Sequence, residues 1–258
     1  MDLRPLGNSG IDVSPIGLGT VKFGRNQQVK YPKPFDLPDD AAVIEILSLA
    51  RDLGINLIDT APAYGISQER LGKLLPGPRD GWVIVSKVGE FFENGQSRFD
   101  FSHDTTIAVV EQSLRTLKTD YLDCVLIHSD GDDLRVLQQE GALDALEQLK
   151  QRGLIRCHGM SSKTIEGGLL VAERMDVVMA TCNISYNEEL PVLEAAKRLN
   201  KGVLIKKGLQ SGHVGGPDAV TEAMRFIFSQ PGVSSMIVGT INPDHLRHNV
   251  ASVEAVPA

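Results

Sequence analysis

The amino-acid sequence predicts a (β/α)8 TIM barrel, and three observations carry that prediction. Eight short apolar segments alternate with eight stretches of helical periodicity, a pattern that builds parallel βαβ units. The alternation fills 258 residues with no break in composition, which suits one barrel. The competing doubly wound sheet, in its dinucleotide-binding form, needs Gly-x-Gly-x-x-Gly after its first strand. Here Gly17-Leu-Gly19 runs on into Thr20-Val-Lys-Phe-Gly24, so that spacing is absent. A single barrel domain over residues 1–258 is expected, with no repeat beyond the βα unit and no low-complexity segment.

Taken in order, Leu3–Leu6 and Ile11–Val13 flank Gly7-Asn8-Ser9-Gly10, a hairpin signal. Ile16–Leu18 is a first strand, ending at Gly19-Thr20. Residues 21–38 form a long loop whose prolines suggest a stiff lid or wall. Asp39 or Asp40 caps a helix that stops at Gly54. A buried strand through Leu57 and Ile58 halts at Asp59; Tyr64 sits on the turn beyond it, and a helix follows over 66–75. Trp82–Ser86 is a strand ending at Lys87, followed by a second long loop rich in Phe. Helix 105–118 carries Ile107, Val110, Leu114 and Leu117 on one face. Strand 122–127 ends at His128, and helix 141–152 stops at Gly153. Strand 154–159 leads to Ser161-Ser162, then helix 164–174, strand 177–181 and helix 190–199. Strand 203–205 runs into Lys206-Lys207-Gly208; helix 218–228, strand 236–238 and a helix over 243–250 complete the series.

Composition narrows the function. A net charge of −7 and a pI near 5.4 argue against nucleic acid or an anionic membrane as the main partner. The Met-Asp-Leu-Arg-Pro start lacks a signal pattern, and no apolar run reaches the length of a membrane span. A cytoplasmic protein, monomeric and acting on a small molecule, is the expectation. Cys124, Cys157 and Cys182 have no metal-ligand spacing and lie in or beside strands, where free Cys is a small hydrophobe. His245 and His248 have no evident third ligand, so no metal site is expected.

In a barrel the strand C-termini converge on one face. The second, third and fourth strands end in Asp59, Lys87 and His128, with Tyr64 just past Asp59. Singly, each is as well explained by a helix cap, a snorkelling lysine or a packed loop residue. Together at adjacent strand ends they point to chemistry. A neighbouring ammonium is expected to lower the pKa of the phenol, and Asp59 to hold Lys87 charged. His128 can orient or donate to a carbonyl oxygen. The set amounts to a proton-donating phenol aimed at a carbonyl.

These residues resemble the aldo-keto reductases. The likeness runs from Leu6-Gly-Asn-Ser-Gly-Ile-Asp-Val-Ser-Pro-Ile-Gly-Leu-Gly-Thr20 to His245-Leu-Arg-His-Asn249. Its most specific parts are Asn56-Leu-Ile-Asp-Thr-Ala-Pro-Ala-Tyr-Gly65, Val85-Ser-Lys-Val88 and Tyr121-Leu-Asp-Cys-Val-Leu-Ile-His128. The resemblance implies a hairpin closing the barrel bottom and NAD(P)H-dependent reduction of aldehydes and ketones. It makes Tyr64 the general acid, Asp59 and Lys87 its tuners, and His128 the carbonyl-positioning residue. It places the cofactor at Gly19, Thr20, Ser161, Ser162, Asn183, Lys206, Lys207, Gly208, Leu209, Gly212, Gly239, Thr240, Asn242, His245 and Asn249. NADPH is the expected cofactor, and NADH remains compatible.

Several positions depart from the family pattern. Asn183 replaces the usual Gln and Ser162 the usual Asn; both still hydrogen-bond an amide. Lys206 stands where an aromatic commonly stacks on nicotinamide, so Lys206 or Lys207 is expected to contact the pyrophosphate instead. The Gly239–Asn249 segment lacks the cations of many NADPH-preferring members, although Arg247 and a helix N-terminus at Pro243 remain. Only nine residues follow Asn249, so an open pocket is expected, walled by Phe23, Tyr31, Phe35, Phe91 and Phe92. Three other readings stay open: an NAD-linked sugar dehydrogenase, a Schiff-base aldolase at Lys87, and a cofactor-binding regulatory subunit with little turnover.

Overall fold

A computed structural model describes residues 1–256 of the chain. Its first element is an antiparallel hairpin, β1 (Arg4–Pro5) with β2 (Asp12–Val13), in the register Arg4 opposite Val13. The remaining elements of the first half are β3 (Ile16–Gly19), α1 (Asp40–Asp52), β4 (Leu57–Asp59), α2 (Ser67–Leu74), β5 (Val83–Val88), β6 (Glu90–Glu93), β7 (Gln96–Phe99), α3 (His103–Leu117) and β8 (Leu122–His128). The second half comprises α4 (Asp133–Gln139), α5 (Ala142–Gln151), β9 (Ile155–Ser161), α6 (Ile165–Arg174), β10 (Val177–Thr181), α7 (Leu190–Arg198), β11 (Gly202–Lys206), α8 (Pro217–Phe228), β12 (Val233–Val238) and α9 (Pro243–Glu254).

Strands β3, β4, β5, β8, β9, β10, β11 and β12 close into a parallel barrel in that order, with β12 pairing back onto β3. Closure without edges satisfies every barrel strand on both sides. The barrel interior is plugged from below by the hairpin: Leu6, Ile11 and Val13 pack with Leu57, Val85, Cys124, Cys157, Val177 and Leu204. Leu6 seats on the first residue of β11, where a Cβ at Gly202 would fall 2.6 Å from the leucine Cδ1. A larger apolar layer lies between the strands and the outer helices.

The local signals explain most of the boundaries. Asp39 caps α1 by accepting from Ala42 N at 2.8 Å. Gly54 leaves that helix at φ 79°, which an L side chain disfavours.

Two expectations are corrected. The Phe-rich segment after β5 is not a plain loop: it carries the β6–β7 hairpin, with Glu90 opposite Phe99. The count of eight helices falls short by one among the described residues, because α4 forms between β8 and α5. Its N-terminus is fixed by Asp133, a buried carboxylate that accepts from Lys163 N, Thr164 N and Thr164 Oγ1, each at 2.8 Å. The three cysteines are buried and free. Among the described residues no helix is long and apolar enough to cross a membrane, and no three His, Cys, Asp or Glu side chains are grouped to hold a metal.

Candidate active site

Barrel register brings the strand-end residues together. Gly19 pairs with Asp59 across β3 and β4, Asp59 with Val85 on β5, Lys87 with Leu126 on β8, and His128 with Ser161 on β9. Asp59, Tyr64, Lys87 and His128 all line one cleft of about 940 Å³ at this end of the barrel, a volume typical of a small-molecule or cofactor site.

Lys87 and Asp59 are buried and ion-paired, Nζ to Oδ1 at 2.5 Å, and Lys87 also donates to Thr60 O at 3.1 Å. Burial opposes the ammonium, but Asp59 and Tyr64 outweigh it and push the lysine pKa up. Lys87 therefore stays charged, with Nζ 4.8 Å from the centre of the Tyr64 ring. The phenol departs from expectation. Burial pushes it up to about 12, and Lys87 offsets only part of that because Asp59 and Glu90 act in the opposite sense. In the free protein Tyr64 is thus held protonated, the state a proton donor needs.

The turn carrying Tyr64 is fixed by close backbone contact. Gly65 sits at φ 59°, and a Cβ there would lie 2.1 Å from Gly24 O. A Cβ at Gly24 would in turn lie 2.2 Å from Tyr64 O. Two glycines thus let the first long loop press on the Tyr64 turn. Beneath them, Ser67 Oγ donates to Thr20 Oγ1 at 2.8 Å, and Thr20 Oγ1 donates to Asp59 O at 3.0 Å.

His128 edges onto Tyr64, ring centres 6.3 Å apart and nearly perpendicular. Its Nδ1 lies 2.7 Å from Glu90 Oε2. Sequence reading did not single out Glu90; the only signal was an acid one residue past Gly89, with nothing to show that a hairpin begins there. Burial lowers the pKa of His128, Lys87 and Lys206 lower it further, and Glu90 pulls the other way. Glu90 is brought down to about 2: burial resists, but His128, Ser97 and Arg25 prevail.

Most of the expected cofactor residues line the same cleft: Gly19, Thr20, Ser161, Lys206, Lys207, Gly208, Leu209, Gly212, Gly239, Thr240, His245 and Asn249. Three do not. Ser162 is buried behind the rim with no partner on its Oγ. Asn183 closes a small turn with Tyr186 and donates to Lys207 O at 3.2 Å. Asn242 caps α9, accepting from Asp244 N at 2.8 Å and His245 N at 3.4 Å, which occupies amides expected to bind an anion.

Lys206 points inward, donating to Ser161 Oγ at 2.8 Å and Ser162 O at 2.5 Å. Its amine is engaged on the cleft floor, and the exposed Lys207 is one of the cations at the rim, with Lys22 and Lys33. Burial drives the Lys206 pKa down to about 7, despite Glu189.

The aromatic wall also differs from expectation. Tyr31 and Phe35 line the cleft, edge to face at 5.6 Å, with Lys22 Nζ 4.0 Å above Tyr31. Phe23 instead lies in the core. Phe91 and Phe92 sit on the hairpin beneath Arg98 and Arg25 and are absent from the lining. The α8 side of the cleft, Val214 to Val220, was not foreseen.

The aldo/keto reductase family model matches residues 15–217. The chain belongs to the aldo/keto reductase family. A crystal structure of an aldo-keto reductase from Pseudomonas aeruginosa superposes with a TM-score of 0.90 at 52% identity, over 97% of this chain and 94% of that one. L-galactose dehydrogenase of Arabidopsis thaliana is 28% identical over 98% of this chain and 88% of its own. D-arabinose 1-dehydrogenase of Saccharomyces cerevisiae is 31% identical over 75% of this chain and 59% of its own. This aldo/keto reductase is accordingly an NAD(P)-dependent oxidoreductase.

Proposed function

We propose that this aldo/keto reductase reduces aldehydes and ketones, open-chain sugars among them, with NADPH, at Asp59, Tyr64, Lys87 and His128. The observation that carries the reading is the buried Lys87–Asp59 pair set against the Tyr64 ring, with His128 on the same cleft.

The residues present fit a nicotinamide dinucleotide. The cleft is larger than a small carbonyl requires, and Gly19, Gly208, Gly212 and Gly239 supply backbone without side chains along it. A Cβ at Gly239 would come 2.5 Å from the Tyr31 hydroxyl, so a side chain there would have to displace that phenol from the cleft. Ser161 and Lys206 would lie under the nicotinamide end; Lys207, Thr240, His245 and Asn249 lead toward the adenosine end. When bound, the reduced nicotinamide supplies a hydride to the carbonyl carbon.

The chain's own residues do the rest. His128 and Tyr64 hold the carbonyl oxygen, which orients the carbon for attack. Tyr64 releases its hydroxyl proton to that oxygen as negative charge builds, and the phenolate left behind is stabilised by the adjacent Lys87 ammonium. Asp59 keeps that ammonium charged and in place. The same pairing disfavours imine chemistry at Lys87, because a protonated amine is no nucleophile.

A second reading runs the site in reverse, as an NAD-linked dehydrogenase of sugar hydroxyls. The dehydrogenase names of the Arabidopsis and yeast relatives favour it, and Asp244 on the cleft offers an acceptor for an unphosphorylated ribose. Titrating the purified protein with NADPH and NADH, then presenting aldehydes with the reduced cofactors and aldoses with the oxidised ones, separates the two. Carbonyl turnover with tighter NADPH binding supports reduction. Oxidation of aldoses alone, with tighter NAD binding, supports the second reading, and no binding of any nicotinamide cofactor overturns both.

A further inference from the structure

The β6–β7 hairpin leaves the barrel immediately after Lys87-Val88-Gly89 and turns its first residue back toward the cleft. Glu90 is in consequence doubly held. One carboxylate oxygen, Oε1, accepts from Ser97 Oγ at 2.6 Å across the hairpin and from Arg25 at 3.3 Å. Arg25 is itself buried, donates to Ala63 O at 3.2 Å next to Tyr64, and stacks its guanidinium 3.5 Å above the Phe92 ring. The other oxygen, Oε2, is left for His128 Nδ1, 2.7 Å away. Nδ1 is buried and meets no acceptor in good hydrogen-bond geometry; the Glu90 carboxylate, 2.7 Å away, is the charged oxygen that a proton on Nδ1 would face, which leaves Nε2 for the cleft that His128 lines.

We propose that Glu90 is a positioning residue that fixes His128 with a proton on Nδ1, so that Nε2 meets a substrate oxygen as an acceptor when the ring is neutral and as a donor only when it is charged. An ionised carboxylate has no proton to offer, so Nδ1 must carry one in either charge state. A neutral imidazole that has spent its proton on Nδ1 accepts a hydrogen bond from an alcohol but gives none to a carbonyl. Carbonyl reduction and alcohol oxidation therefore begin from forms of the site that differ by one proton.

The proton count closes. In reduction the imidazolium Nε2–H donates to the carbonyl oxygen, hydride forms the new C–H bond, and Tyr64 transfers its proton to the oxygen. The phenolate is then reprotonated from Nε2 through the product hydroxyl, leaving neutral His128. That form, with Nε2 as acceptor, is where alcohol oxidation starts. The charged and titratable groups facing the imidazole are Glu90 on β6, Lys87 on β5, Lys206 on β11 and Tyr64 beyond β4. Lys87 and Lys206 oppose ring protonation, and Glu90 is what keeps it accessible. Tyr64 loses its proton only near 12 and Lys206 near 7, so the part of the neutral-range pH dependence that shifts in Glu90→Gln is the part that belongs to His128.

The catalytic half of this proposal rests on the carbonyl–alcohol reading above; the tautomer half does not. The experiment is nitrogen-15 NMR of histidine-labelled full-length protein, titrated as wild type, Glu90→Gln and Glu90→Asp, with His128→Asn assigning the resonance. The expected result is a neutral ring protonated on Nδ1 in the wild type, and a His128 titration that moves acid by about 1–3 pH units in Glu90→Gln. Glu90→Asp, which keeps the charge, restores most of it. The alkaline limb of kcat/KM for reduction and the acid limb for oxidation follow the same displacement. A neutral ring protonated on Nε2, or identical His128 titration in wild type and Glu90→Gln, overturns the proposal. Absence of all carbonyl and alcohol turnover with the NMR result intact would instead remove the functional reading and leave Glu90 as the clamp.

Discussion

At Lys206 burial works against the ammonium hard enough to bring its pKa to about 7, and the amine sits where a nicotinamide ring is proposed to lie. An oxidised nicotinamide is cationic and is repelled by a charged Lys206; a neutral amine does not repel it. Affinity for oxidised cofactor is therefore expected to rise on the order of tenfold between pH 6 and 8, roughly 1.4 kcal/mol. Affinity for the reduced form changes little, and Lys206→Met flattens the trend. Calorimetric titration at three pH values checks it. Glu90 sets an opposite window. Its folded pKa of about 2 lies below the ordinary carboxyl value of 4.5. Its stabilising contribution is thus complete above that value and is lost as pH falls through the folded pKa. Glu90→Gln should show a shallower loss of thermal stability between pH 5 and 2, read by circular dichroism.

Among the elements, the glycine contact between the first long loop and the Tyr64 turn tests how rigidly the phenol is placed. Gly24→Ala must displace Tyr64 O, and overpacking of this kind costs about 1–3 kcal/mol. The expected signature is a kcat that falls while cofactor affinity holds, since a small misplacement of a reacting group is expensive. Asp133 is the corresponding test for α4. Asp133→Ala strips the acceptor from Lys163 N, Thr164 N and Thr164 Oγ1, and loss of such charge-assisted bonds should cost about 2–3 kcal/mol in chemical denaturation. These two elements also mark where the sequence was readable and where it was not. The barrel strands declared themselves because each is a short apolar run, several of them halting at a charged or titratable side chain, as at Ile58-Asp59 and Ile127-His128. Helix α4 did not, since Asp-Leu-Arg-Val-Leu-Gln-Gln is under two turns long and its anchor, Asp133, finds its partners thirty residues away. The β6–β7 hairpin was masked by phenylalanines that read as loop-wall residues, although Asn94-Gly95 stands at its turn. Glu90 could not be found without that hairpin. Nor could the rise in the Tyr64 pKa, because a sequence shows the charge neighbours of a group but not how thoroughly water is excluded from it.

For the molecule as a whole, the hairpin plug and the proposed catalytic end share one barrel, and changes at the two ends should separate cleanly. Leu6→Ala removes a fully buried side chain seated on β11 and should cost about 2–5 kcal/mol. At a temperature where the variant is folded its kcat should be unaltered, which equilibrium unfolding and steady-state rates together check. The likeness to the Pseudomonas structure runs over 97% of the chain. The measurement that bears most directly on the central claim is the rate at which nicotinamide absorbance is lost with a turned-over aldehyde, at saturating NADPH, for wild type against Tyr64→Phe. A protonated phenol acting as general acid predicts a fall of about 10²–10⁴-fold with cofactor affinity unchanged. A Tyr64→Phe protein that reduces the aldehyde at the wild-type rate would contradict it.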